Sequence, residues 1–211
     1  MAQDDLARGM AGADLCRFLA ACYYQPGPEF AEEKLFDSMQ AAASRVHPDF
    51  AAGARRLGEA FAGEGPEELL VDYTRLFLGP VDTLARPYGS IWLRRDNTLM
   101  EESTVAVQQL YAEGGFEIGE DFHELPDHVA AELEFLYLLI FRETEARGKG
   151  DLDALAAATD LRGRFLAAHL GAWIGPFTAV VRSGAQTAFY RELADLTELF
   201  VRLEAARTGT H

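Results

Sequence analysis

Apolar residues recur at three- and four-residue intervals through most of this 211-residue chain, and glycine and proline fall mainly between those runs. That pattern sets a helix period, not the alternation of a strand. Leu15, Phe18, Leu19 and Cys22 follow i, i+3, i+4, i+7 and make one face of a first helix, which stops near Gln25-Pro26-Gly27-Pro28. Pro28 suits the first turn of a second helix, with Glu29, Glu32 and Glu33 near its positive end and Phe36, Met39 and Ala43 further along. His47-Pro48 ends it. Phe50, Ala54, Leu57 and Phe61 mark a third helix, closed by Gly63 and Gly65. Pro66 opens a fourth, carrying Leu69, Tyr73, Leu76 and Phe77 to the break at Gly79-Pro80.

Residues 79–102 form the longest irregular stretch, and long ordered loops are disproportionately functional. A helix is expected over 103–113, then a break at Gly114-Gly115. Pro126 opens a helix with Val129, Leu133, Leu136 and Ile140 on one face and Phe135, Leu138 and Leu139 on a second. A helix apolar on two sides belongs at the centre of a fold. Further helices are expected over 151–169, briefly around 176–181, and over 187–206. The expected fold is an all-α globule of roughly nine helices without a sheet, one domain over 1–211, with a flexible connection around 114–125.

Nineteen Lys and Arg against thirty-four Asp and Glu leave a net charge of −15. Nucleic acid is excluded as a partner, because neutralising phosphates needs clustered cations. The excess acid suits a cationic partner, or solubility alone. The acidic N-terminus lacks the apolar core of a signal peptide, and no run of 18 apolar residues is present. A cytoplasmic location and no stable membrane insertion follow as expectations. Cys16 and Cys22 stand about 240° apart around a helix axis, so they read as buried free thiols.

Few features carry catalytic chemistry. His123, Glu124, Asp127, His128 and Glu132 cluster, and His128 and Glu132 share a helix face. They could serve a small metal-dependent enzyme, but helix capping and binding of a partner explain the same residues. Gly148-Lys149-Gly150 lacks the frame of a phosphate loop, and Ser90 sits in no nucleophile motif. Arg94-Arg95 lies mid-chain and reads as solvated charge. The irregular stretch is different. Tyr73, Phe77, Tyr88 and Trp92 concentrate rigid aromatic area around two Gly/Pro breaks, with no His, Cys or Lys among them. Aromatic residues in loops point to binding, and a groove for an apolar peptide is a physical reason for them.

Three stretches carry a resemblance to the TorD/DmsD family of redox-enzyme maturation chaperones, with NarJ a more distant relative. They are Tyr73-Thr74-Arg75-Leu76-Phe77-Leu78-Gly79-Pro80, then Pro87-Tyr88-Gly89-Ser90-Ile91-Trp92, then Leu125-Pro126-Asp127-His128 followed by Glu132 to Leu136, in that order. The resemblance implies an all-helical chaperone, not an enzyme, without a cofactor or metal of its own. It implies as partners the twin-arginine signal peptide and the catalytic subunit of a molybdoenzyme, and a monomer or homodimer. Carried over by position, the peptide-contact candidates are Tyr24, Tyr73, Leu76, Phe77, Tyr88, Trp92, Pro126, Asp127 and His128. Asp127 and neighbouring acids would pair with arginine, and the aromatic residues would cover the apolar part.

Overall fold

Local stop signals and the helical period together produce a fold of ten α-helices and one π-helical turn among the described residues. The computed structural model describes residues 2–27, 30, 34–79, 83–93, 100–119 and 124–209. Pro28, Glu29, Glu32, Glu33, Pro80, Arg94, Arg95 and His123 lie outside them. Of the connection expected at 114–125, residues 120–123 lie outside as well.

Helix α1 (Ala2–Ala21) begins well before the apolar face read from the sequence. It is followed by α2 (Leu35–Val46), α3 (Pro48–Gly63) and α4 (Pro66–Tyr73). The start of α2 differs from the expectation. Lys34 has φ 50°, in the left-handed region, so α2 begins at Leu35; Pro28, the start expected from the sequence, lies outside the described residues. His47 closes α2 and opens α3. Its extended backbone suits the residue before a proline, and its Nδ1 accepts the Asp49 N–H at 3.2 Å.

Helix α4 also departs from its pattern. It does not run to Gly79 as an α-helix. At Tyr73 it widens into a π-helical turn, Thr74–Leu78, closed by Gly79 N donating to Thr74 O at 2.8 Å. Such turns are rare and concentrate at functional sites. The chain then folds back along the turn, where Ala85 N donates to Leu76 O at 2.8 Å.

Two shorter helices follow, α5 (Gly89–Trp92) and α6 (Met100–Glu113). The long central helix α7 (Val129–Lys149) is next, then α8 (Leu152–Ala168), α9 (Leu170–Gly184) and α10 (Ala188–Arg207). Pro126 does not open α7; it lies in the preceding turn, and His128 is the N-cap. Helix α9 is far longer than the short segment expected, with Pro176 inside it. Proline lacks the N–H that a helix interior uses, which works against a helix that runs through Pro176. Burial of Leu170, Trp173, Ile174, Phe177 and Val181 along one side outweighs that loss. Helices α8 and α9 meet at 43°. Gly171 permits the corner, since a Cβ there would sit 2.3 Å from Leu166 O.

Helix α1 lies antiparallel along α7: Leu6 is beside Gly148, Gly9 is against Thr144, and Tyr24 reaches Glu134. Around this pair the core gathers Tyr23, Phe77, Trp173, Phe177 and Tyr190. Cys16 and Cys22 are buried free thiols within it, as expected from their spacing. Two acids far away in sequence cap α10. Asp72 Oδ2 accepts from Gln186 N, Thr187 N and Thr187 Oγ1, and Glu64 accepts from Ala188 N and Phe189 N. No single helix among the described residues is long and apolar enough to cross a membrane.

Candidate functional site

The two irregular segments singled out in the sequence meet. Tyr88 and His128 form an isolated antiparallel bridge. Gly89 N donates to Asp127 O and Val129 N donates to Pro87 O, each at 2.8 Å. The bridge joins the start of α5 to the start of α7. Asp127 strengthens it from within: its Oδ2 accepts the Ser90 N–H at 2.8 Å and so caps the first turn of α5. Tyr111, from α6, donates its hydroxyl to Pro126 O at 2.8 Å and holds the turn from the other side.

His128 sits at the centre. Its Nδ1 accepts the Ala130 N–H at 3.2 Å, satisfying an orphan donor of α7. The Tyr24 ring stacks on it at 6.2 Å, and the Tyr88 ring meets it edge-on at 5.4 Å. Burial is the main cause that lowers its pKa to about 4, against the opposing pull of Glu124 and Asp127. The imidazole is therefore neutral at physiological pH and works as an acceptor and a stacking platform.

The outer rim is acidic and aromatic. Tyr88 donates to Glu124 and Tyr24 donates to Glu134, the latter at 2.9 Å. Burial pushes both phenols up, and the adjoining carboxylates reinforce the shift. Glu134 is also raised, chiefly by burial. Trp92 is half-buried. Its indole N–H donates to Arg86 O at 2.9 Å and its ring meets Phe177 edge-on at 5.9 Å.

The nine candidates divide by depth. Tyr24, Tyr88, Trp92 and Pro126 keep part of their surface in solvent. Tyr73, Leu76, Phe77, Asp127 and His128 are buried. Tyr73 and Phe77 meet edge-on within the core, and burial holds the Tyr73 phenol up at about 12. Asp127 is 0% exposed, so the direct ion pair with an incoming arginine expected from the sequence has no access in this arrangement. Its Oδ2 is committed to the α5 backbone, while its Oδ1 is buried without a hydrogen-bond partner. The acids that do reach the rim are Glu124 and Glu134.

Under the bridge lies a polar layer that sequence reasoning missed. Trp173 Nε1 donates to Glu132 Oε2 at 3.0 Å. Gly89 passes directly over this bond: a Cβ there would lie 2.8 Å from Trp173 Nε1 and 3.1 Å from Glu132 Oε1. Burial holds the Glu132 carboxyl well above the usual carboxylate range, and Asp127 adds to the effect. No sequence signal links Trp173 to Gly89, because their contact exists only after α9 folds back. Among the described residues no three His, Cys, Asp or Glu side chains converge as metal ligands. Asp127 Oδ2, His128 Nδ1 and Glu132 Oε2 each accept a hydrogen bond from a backbone or indole N–H.

The fold and these paired segments define an all-helical protein of the TorD-like class. A family model described as nitrate reductase delta subunit matches residues 44–179. The chain belongs to that family, and the resemblance to TorD and DmsD read from the three motifs is borne out. It is 28% identical over 140 residues to the chaperone protein TorD of Vibrio parahaemolyticus, covering 66% of this chain and 63% of the relative. It is 31% identical over 139 residues to the Tat proofreading chaperone DmsD of Salmonella typhi, covering 66% and 61%. The chain thus spans under two thirds of the length of these two relatives. A third match, TorD of Shewanella loihica, extends over 85% of this chain and 88% of the relative at 27% identity. These relatives are named as chaperones and none as an enzyme. The chain also shares its fold with an Archaeoglobus fulgidus crystal structure described as a redox enzyme maturation protein. The TM-score is 0.53 at 19% identity, covering 90% of this chain and 93% of that one.

Proposed function

We propose that this chain is a cytoplasmic maturation chaperone. It binds the twin-arginine signal peptide of a molybdenum-cofactor oxidoreductase and keeps the apo-form from export until the cofactor is in place. The observation that carries the reading is the Tyr88–His128 bridge. It gathers the half-exposed aromatic rings of Tyr24 and Tyr88 between two rim carboxylates, Glu124 and Glu134. A twin-arginine leader offers two guanidinium groups followed by an apolar run. Guanidinium groups pair with carboxylates in bidentate geometry, and aromatic faces receive both cations and apolar side chains. The net charge of −15 would raise the encounter rate with a cationic peptide. The relatives named as chaperones, one for Tat proofreading, support the same reading.

In this reading Tyr24, Tyr88, Trp92 and Pro126 touch the peptide, while Tyr73, Leu76, Phe77, Asp127 and His128 hold those groups in position. Titration calorimetry of the full chain against a twin-arginine leader and its twin-lysine counterpart tests it. Saturable binding is expected, weaker for lysine by roughly tenfold because the fork geometry is lost. Failure of the folded protein to bind any twin-arginine leader overturns the reading.

A further inference from the structure

A second site lies away from the bridge. Helices α1, α7, α8 and α10 enclose a cavity of about 260 Å³. Each helix contributes an arginine to its lining: Arg8, Arg147, Arg162 and Arg207 in turn. Glu143 and Glu204 stand among them and are committed to pairs. Glu204 meets Arg162 at 2.6 Å and Arg207 at 2.8 Å; Glu143 meets Arg147 and Arg162 at 3.0 Å each. Asp5 is the third acid in the lining. Four guanidinium groups against three carboxylates leave a local cationic excess on a strongly acidic chain.

Hydrogen-bonding capacity is left over. Arg162 is 5% exposed, and its Nε has no hydrogen-bond partner. Glu143 Oε2 lies 3.0 Å from Arg162 Nη2 but accepts no hydrogen bond. Arg8, exposed at the mouth, makes no ion pair among the described residues. A buried donor without a partner is costly, so the arrangement favours an acceptor from outside.

The backbone is also open here. Gly9 and Gly12 both line the cavity. Gly9 has to be glycine for packing, since a Cβ would lie 2.3 Å from Thr144 Oγ1. Gly12 is different. It is buried in mid-helix, yet a Cβ there would meet nothing within 4 Å. Glycine in a helix interior is disfavoured relative to alanine, so packing does not account for it. What its missing side chain preserves is the empty space.

We propose that this cavity binds hydrogen phosphate, the free anion that keeps a P–OH at neutral pH. Phosphate oxygens accept from Arg162 Nε and Arg8, where the guanidinium fork matches an oxyanion. The P–OH hydrogen is donated to Glu143 Oε2. Sulfate and a phosphomonoester dianion, which carry no such hydrogen at neutral pH, lack the last contact. The proposal is independent of peptide binding at the Tyr88–His128 bridge.

Titration calorimetry of the full chain with inorganic phosphate, glycerol phosphate and sulfate at matched ionic strength tests it. Saturable phosphate binding is expected, with sulfate weaker by about tenfold for the lost charge-assisted contact. Gly12→Leu fills the space and should abolish binding; Gly12→Ala, a milder filling, should weaken it. Both should melt no lower than wild type without phosphate. Arg8→Gln should weaken binding several-fold, while Arg164→Gln, which breaks an exposed pair with Glu113 and Asp160, should leave it unchanged. Glycerol phosphate, largely the dianion without a P–OH at neutral pH, should bind as weakly as sulfate; affinity equal to that of phosphate overturns the P–OH contact. No saturable phosphate binding, equal affinity for sulfate, or unchanged binding in folded Gly12→Leu overturns the proposal.

Discussion

Asp127 caps a helix to which it does not belong: its Oδ2 accepts the Ser90 N–H at 2.8 Å across 37 residues of chain. The bond ties the aromatic segment to the start of α7. It makes Asp127 a positioning residue whose loss should be felt at the rim.

Asp127→Ala should destabilise the fold by about 1–2 kcal/mol, the usual cost of a lost N-cap, and weaken leader-peptide binding. Asp151→Ala removes a similar cap, the 3.0 Å bond from Ala154 N, on the unrelated α8. It should cost about 1 kcal/mol of stability and leave peptide binding intact. Urea unfolding and calorimetry on both variants separate the two effects. Equal losses of binding would remove the case for a local site.

Gly89→Ala should be poorly tolerated. Its Cβ would press on Trp173 Nε1 at 2.8 Å and Glu132 Oε1 at 3.1 Å, both fixed by their mutual hydrogen bond. A cost of about 1–3 kcal/mol is expected for such overpacking. Gly63→Ala, where a Cβ meets nothing within 4 Å, should be neutral or stabilising. Thermal melts compare them directly, and a neutral Gly89→Ala would show that the layer beneath the bridge yields.

Stability should respond to pH through two buried groups of opposite sign. Burial first lowers His128 from 6.5 to about 4, so the fold favours the neutral ring. That contribution is complete above pH 6.5 and is lost as pH falls through 4, about 3 kcal/mol in all. Burial first raises Glu132 from 4.5, so the fold favours the protonated acid. That contribution is complete below pH 4.5 and is lost as pH rises. His128→Asn keeps a capping acceptor and should flatten the acid limb between 6.5 and 4. Glu132→Gln keeps an acceptor for Trp173 and should gain on wild type above pH 4.5. Urea midpoints across pH 4–8 report both, and curves parallel to wild type would contradict the assignments.

Tyr88→Ala should weaken leader binding by at least about thirtyfold, the scale of a binding hot spot of 2 kcal/mol or more. Tyr88→Phe retains the ring against His128 and loses only the bond to Glu124. It should bind within a few-fold of wild type, since the freed Glu124 stays at the rim. Similar losses in both variants would place the recognition in the hydroxyl rather than the ring.

Much of the architecture is legible in the sequence, and the places where it is not have definite causes. The apolar spacing of Val129, Leu133, Leu136 and Ile140 identified α7 because a buried helix face repeats every 3.6 residues. The same rule gives only a short helix around 176–181, whereas α9 runs from Leu170 to Gly184 through Pro176, supported by burial of Trp173 and Phe177. It ran α4 straight to Gly79, because a π-helical turn leaves no signature in apolar spacing. At the candidate site, the motifs named two segments that the fold brings together. They did not reveal that Asp127 faces inward, or that Glu134 rather than Asp127 lies beside Tyr24.

Helix content, helix order and the two aromatic-bearing breaks follow from local chemistry: residue period, Gly and Pro geometry, and charge at helix ends. These act over a turn or two of chain and can be read along it. Depth and pairing cannot. The Tyr88–His128 bridge, the Asp127 cap on α5, Gly89 over Trp173 and the four-arginine cavity join residues from separate helices. Their partners are chosen by how the helices pack. A hydrogen bond or an ion pair is set by a few ångströms in space, whatever the distance along the chain.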